Sequence, residues 1–176
     1  MSTCRDKTRQ KIKDAFKALL KTQSPLQITV SDLCLNCKIN RSTFYQYYPY
    51  IDKLIEDVIQ DELIINAEMN ESLLDSFYLT HSTSPSQIEE YLVNFTSNEI
   101  IKKFIKSNDS DYFRLLIVKL EIRYEFKKYH IVTQEDRATV INRNYGVFAV
   151  IFAWIDKVLD VNINEISQLI YKFLIR

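Results

Sequence analysis

Several groups of side chains in this sequence have types and spacings that could do chemistry. Cys34 and Cys37 form a Cys-x-x-Cys pair, the pattern of a redox dithiol or half a metal site. No second cysteine pair follows, and the two histidines, His81 and His130, lie far along the chain. The pair therefore reads as two inert core thiols, with Cys4 in a frayed terminus. Glu89-Glu90, Glu121 and Glu125 are carboxylates at helical spacing. They read as solvated, or paired with Lys or Arg, rather than catalytic. No nucleophile has a plausible base beside it, and the single glycine, Gly146, excludes the glycine-rich phosphate loops. No catalytic residue, metal or cofactor is expected. The remaining group is Arg41, Ser42, Thr43, Tyr45, Gln46 and Tyr47. Arg can pair with guanine and Gln with adenine, while hydroxyls suit phosphate oxygens. That is the chemistry of reading nucleic acid.

Such a set works only if a helix presents it, and the surrounding sequence supplies one. Thr29 and Asp32 have the spacing of a capping box that opens a helix running to about Cys37. Lys38-Ile39 makes a turn, and Asn40 can cap a second helix from Arg41 to about Tyr48. On it Phe44 and Tyr48 lie four apart and face inward, leaving the polar side chains outside. A helix precedes this pair from Asp6 to about Thr22, with Ile12, Ala15, Phe16, Leu19 and Leu20 as its apolar stripe. Residues 1–5 are expected to be loose, and Pro25 stops the connector that follows. Another helix opens at about Asp52, keeps Leu54, Ile55, Val58, Ile59 and Leu63 on one face, and reaches about Asn70. The arrangement is that of a helix-turn-helix, with Arg41–Tyr48 as recognition helix.

In the run ITVSDL, the turn before Asn40, the segment Arg41-Ser42-Thr43-Phe44-Tyr45-Gln46-Tyr47-Tyr48 and the following Asp52-Lys53-Leu54, the chain resembles the tetracycline-repressor (TetR) family over roughly residues 8–60. Two positions depart from the family pattern. The usual turn glycine is Lys38, where a left-handed backbone would carry a cost. The lysine that usually opens the next helix is Ile51, with Lys53 nearby. The resemblance implies a dimeric transcription regulator, most simply a repressor, that binds double-stranded DNA at a palindromic operator. It also implies a helical body that holds an inducer, and a helix after Asp52 whose tilt sets the distance between the two recognition helices. Arg41, Thr43 and Gln46 are then the candidates for base edges. Thr29, Asn40, Ser42, Tyr45, Tyr47 and Lys53 are candidates for the rest of the DNA-binding surface. The alternative is a TetR-like module without autonomous DNA binding that acts through a protein partner.

Charge supports a nucleic-acid end. The whole chain balances 23 Lys and Arg against 23 Asp and Glu. Residues 1–50, however, hold nine Lys/Arg and three acids, 9 − 3 = +6, so the remainder carries −6. Among the basic residues of the first helix, Arg9 and Lys13 are candidates to lie along phosphates.

With 47% apolar residues, one Gly and three Pro in 176 positions, the sequence predicts an all-α protein of about nine helices joined by short connections. The expected division is a DNA-binding domain at 1–52 and an effector-binding and dimerisation domain at 53–176. Residues 71–83 are ambiguous, with a loop at about Thr80–Ser84. Ser84-Pro85 starts a helix, followed by helices at about 99–107, 111–129, 134–159 and 163–174. Some of the body's many aromatic residues could line a pocket for a small-molecule effector. The run Tyr145–Ile155 is apolar all round, which calls for cover on both sides. A second copy of the chain is the expected cover, through Phe148, Phe152, Trp154, Ile155, Ile166, Ile170 and Phe173 as a four-helix bundle across a two-fold axis. That run is far short of the roughly 18–20 residues of a membrane span, and the N-terminus is polar, so a soluble cytoplasmic protein is expected.

Overall fold

The computed structural model describes residues 4–80 and 82–174. Met1–Thr3, part of the segment expected to be loose, and His81 lie outside the described residues. Among the described residues ten α-helices follow one another: α1 (Cys4–Leu19), α2 (Val30–Cys37), α3 (Arg41–Tyr47), α4 (Ile51–Met69), α5 (Glu71–Asp75), α6 (Pro85–Ser97), α7 (Glu99–Ile105), α8 (Ser110–Lys128), α9 (Gln134–Ile155) and α10 (Ile163–Leu174). A 3-10 turn at Pro25–Gln27 precedes α2, and a π-helical turn at Ser76–Thr80 follows α5. No strand occurs among the described residues. The extra helix comes from the ambiguous stretch, which continues as α5 and the π turn to Thr80.

The chain forms two compact units, one of Met1–Glu62 with Glu99–Arg114, the other of Leu63–Asn98 with Leu115–Arg176. In the first unit the α1 stripe is buried at Ile12, Phe16 and Leu20. It meets Leu33, Phe44 and Tyr48 of the helix-turn-helix region and Leu54, Ile55, Val58 and Ile59 of α4 in one core, all of them at most 2% exposed. The α7 ring of Phe104 lies 6.4 Å from Phe16 and 4.9 Å from Phe113. Burying each such ring contributes about 1.5–3 kcal/mol.

In the second unit the Ser84–Gln87 capping box opens α6, with both reciprocal hydrogen bonds formed. Ile88, Leu92 and Phe95 of α6 are buried together with Phe148, Ile151 and Phe152 of α9 and Ile166 and Ile170 of α10. By length and hydropathy α9 could span a membrane. One of its faces, Val140, Asn144, Phe148, Ile151 and Phe152, is nevertheless built into this core. Gly146 serves close packing: a Cβ there would come within 2.6 Å of the Phe173 ring.

Three helices end in the same way. Lys38, His130 and Lys157 have φ of 54°, 51° and 58°, the left-handed region that usually takes glycine. The next residue in each case is apolar and its N–H closes back on the helix, Ile39 to Cys34 O at 3.1 Å, Ile131 to Phe126 O at 3.1 Å and Val158 to Ala153 O at 2.9 Å. These are Schellman closures built without glycine. The closure at Lys157 also explains why α9 stops at Ile155, short of the expected Leu159.

Candidate nucleic-acid interface and effector cavity

The entry to the helix-turn-helix is fixed by its cap. The Asp32 N–H donates to Thr29 Oγ1 at 3.2 Å, and the Thr29 N–H donates to Asp32 Oδ2 at 2.9 Å. The Thr29 hydroxyl itself donates to Asp32 at 2.6 Å. It therefore has no proton left for a phosphate in this conformation. These bonds from Thr29 hold the Asp32 carboxyl below its usual pKa. Lys38 takes the left-handed backbone at the turn, a conformation that usually falls to glycine. Cys34 and Cys37 are buried free thiols, and burial pushes the Cys37 thiol up. Among the described residues no group of three His, Cys, Asp or Glu is placed to hold a metal.

Helix α3 sorts its residues as its spacing requires. Phe44 and Tyr48 are buried, whereas Asn40, Arg41, Ser42, Tyr45 and Gln46 are exposed, with Thr43 and Tyr47 intermediate. The Tyr45 ring rests edge-on against Phe44 at 5.5 Å, which holds a half-exposed phenol at a defined place. Asn40 sits at the N-cap but its side chain makes no capping bond, contrary to the expected role. Arg41 Nη2 hydrogen-bonds Ser31 Oγ. Lys53 is exposed and bonded to Glu56 at 2.6 Å.

Behind α3 stands an ionic network that corrects the reading of α1. Tyr48 OH donates to Asp57 Oδ2 at 2.7 Å, and Arg9 Nε donates to Tyr48 OH at 3.2 Å and to Asp57 at 2.9 Å. Lys13 Nζ contacts Asp57 at 3.1 Å and Asp61 at 2.7 Å, and Lys17 pairs with Glu62. Lys13, expected along a phosphate, is buried. Arg9 is also committed to α4. Burial pushes the Asp57 carboxyl up, but hydrogen bonds from Tyr48 and Lys13 and the charges of Lys13 and Arg9 outweigh it, so its pKa is lowered. The acids that neutralise α1 lie more than forty residues further on, so α1 alone looks like a free basic face.

The second unit holds a cavity of about 80 Å³. Leu74, Phe77 and Tyr78 close one side, Ile88 and Tyr91 of α6 another, and Phe148 and Ile151 of α9 a third. Its polar residues are Glu121 and Glu125 of α8 and Arg143 and Asn144 of α9. Glu125 is 5% exposed, and its Oε2 accepts from Tyr78 OH at 2.5 Å, Asn144 Nδ2 at 2.9 Å and Arg143 Nη2. The guanidinium of Arg143 also lies over the rings of Phe77 and Tyr78, at 4.2 and 4.8 Å. Glu121 is 4% exposed and accepts one long bond, from Tyr91 OH at 3.5 Å. Burial, reinforced by the charge of Glu125, pushes its carboxyl up to about 8. Neither glutamate is solvated. Their i, i+4 spacing within a helix apolar on most sides was the signal available in the sequence.

The residues expected at a dimer interface fall into two groups. Phe148, Phe152, Ile166 and Ile170 are each at most 9% exposed, covered by the chain's own helices. They do not offer surface to a second copy. Trp154 and Ile155 are intermediate, and Trp154 Nε1 donates to Val161 O at 2.9 Å. Phe173 is half exposed, as are Leu169 on the same helix and Tyr145 and Ile141 on α9. Of the expected set, Phe173, Trp154 and Ile155 keep accessible surface.

No protein-family model matches this sequence, and no curated protein matches it. Among solved structures, it is similar to Thermus thermophilus FadR, a TetR family transcriptional repressor, in complex with lauroyl-CoA. The TM-score is 0.56 at 14% sequence identity, over 95% of this chain and 93% of that one. The chain therefore has the all-α fold of a TetR-family transcriptional repressor over nearly its whole length.

Proposed function

We propose that this protein is a dimeric, sequence-specific DNA-binding transcription regulator, a repressor released or recruited by a small molecule in its body. The observation that carries this is the sorting of α3: its aromatic anchors are buried in the first unit, while Arg41, Ser42, Tyr45 and Gln46 stand in solvent. Residues 1–52 form the DNA-binding module and residues 53–176 the effector-binding and dimerising body. Arg41, Thr43 and Gln46 meet base edges in the major groove, and Asn40, Ser42, Tyr45, Tyr47 and Lys53 meet the backbone. Arg41 must exchange its bond to Ser31 for one to guanine, so Ser31 positions it beforehand.

A two-fold dimer matches a palindromic operator. The half-exposed Ile141, Tyr145, Leu169 and Phe173 are the apolar surface available for it. The cavity of the second unit is the place for an effector, as the fold's likeness to a repressor solved with lauroyl-CoA suggests. An effector shifts DNA affinity only by its difference in affinity between two states. Such a protein works in the cytoplasm.

A second reading has its own observation. Three of the nine N-terminal cations, Arg9, Lys13 and Lys17, are neutralised within the unit, which weakens the field at the DNA face and favours a module that needs a protein partner. Binding to genomic duplex fragments at two salt concentrations decides. The regulator reading expects a palindromic site and a steep salt slope. Arg41→Ala should cost that site about 1–3 kcal/mol and random DNA much less. Weak binding indifferent to sequence would overturn it in favour of the partner-dependent module.

A further inference from the structure

We propose that the cavity of the second unit binds a small apolar monocation, an alkylammonium, with its nitrogen held by the Glu121 carboxylate. The inference rests on reading this cavity as the effector site and names the chemistry of what enters it.

The argument begins with charge. With all groups ionised, two carboxylates, Glu121 and Glu125, face one cation, Arg143. That cation is taken: Arg143 and Asn144 bond the same oxygen of Glu125 that receives Tyr78. Glu121 has only the 3.5 Å bond from Tyr91, although a carboxylate can accept about four. The other walls cannot complete it. The end of α4 contributes Ala67, and α10 contributes Ile170 and Leu174. A buried carboxylate so poorly bonded is costly as an anion. Accordingly its pKa is raised to about 8, and the empty site holds it as the neutral acid near neutral pH.

An ammonium group changes that balance. Placed against Glu121, it favours the carboxylate, whose proton leaves to solvent as the cation enters. The exchange keeps the charge of the cavity constant, so no net charge is buried. Ile88, Leu92, Phe148 and Ile151 take the alkyl chain. A carboxylate or phosphate ligand would instead add a further anion to two buried carboxyl groups. A neutral alcohol would fit but gain no ion pair. The volume of about 80 Å³ suits a short chain.

The test is calorimetric titration of the full chain without DNA, near neutral pH, with hexylammonium, hexanol and hexanoate. Hexylammonium should bind about tenfold or more tightly than hexanol, and hexanoate should not bind. Heats in two buffers of different ionisation enthalpy should show release of up to one proton per ammonium bound. Glu121→Gln, checked for folding by circular dichroism, should bind hexylammonium and hexanol alike, while Glu121→Asp should keep a preference for the cation. Equal or tighter binding of hexanol or hexanoate to the native chain, an unchanged preference in Glu121→Gln, or no binding of any of the three overturns the proposal. Because DNA is absent, the outcome is separate from the regulator reading. Hexylammonium binding by a chain that ignores DNA would support this site and overturn that reading. Hexanoate binding that alters DNA affinity would do the reverse.

Discussion

The two units each hold an ionic network, and the networks are balanced differently. In the first, Arg9, Lys13 and Lys17 face Asp57, Asp61 and Glu62, three cations to three anions. Asp57 gathers Tyr48, Arg9 and Lys13 within 3.1 Å. In the second, Arg143 faces Glu121 and Glu125 and one carboxyl group is left with a single long bond. The carboxyl pKa values move in opposite directions, down at Asp57 and up at Glu121. A closed network of matched charges fastens helices together. A surplus group beside a cavity stays ready for a ligand, at a cost to stability.

Removing the centre of the closed network should have the largest effect. Asp57→Ala leaves the buried Lys13 and the Tyr48 hydroxyl short of an acceptor and should lower stability by about 3–5 kcal/mol, measured by urea unfolding. The native carboxyl is held below its unfolded pKa of about 3.9. Its contribution is therefore present above that pH and is lost as pH falls through the lower folded value. The variant should lack this acid-side loss, and an equal loss in both would detach Asp57 from the network's stability.

The surplus group should give an effect of the other sign. Glu121 has a raised folded pKa, about 8, so its favourable contribution is complete below the unfolded value of about 4.3 and fades as pH rises toward 8. Measured at about pH 9, Glu121→Gln should be more stable than the native chain by several kcal/mol, relative to their difference at about pH 4. A difference that does not change with pH would mean that Glu121 is already compensated. The smallest contrast uses one deletion in each network. Tyr48→Phe should cost about 1 kcal/mol, because its hydroxyl bonds Asp57 at 2.7 Å. Tyr91→Phe should cost less than about 0.5 kcal/mol, because a 3.5 Å contact is at the limit of a hydrogen bond. Equal losses would erase the distinction between the networks.

Local order was largely legible in the sequence. The capping box at Thr29–Asp32 is a four-residue pattern, Ser84-Pro85 marks a helix start, and the inward pair Phe44–Tyr48 follows from helical spacing alone. What the sequence hides is long-range pairing. Arg9 and Lys13 look free until Asp57 and Asp61 are seen opposite them, and the Lys or Arg that could pair with Glu125 has no name until Arg143 arrives from α9. The segment after Asn70 was ambiguous for a related reason. Leu73, Leu74, Phe77 and Tyr78 serve a cavity wall rather than a regular stripe, and the chain passes through a π turn to place them. Phe148, Phe152, Ile166 and Ile170, buried within their own chain, show the limit of periodicity: an apolar helix reveals how many faces need cover, but not which face its own chain takes.

The glycine-free helix ends have a consequence for the unfolded chain. Glycine at Lys38, His130 or Lys157 would relax the left-handed backbone in the native state, but it would also enlarge the unfolded ensemble by roughly 0.5–1 kcal/mol of entropy per site. The side chains now present restrict that ensemble. Part of the strain seen at these three ends is thus returned before folding begins, through a denatured chain with fewer conformations to lose. Asparagine, which tolerates the left-handed region while keeping a side chain, combines both advantages at such a position.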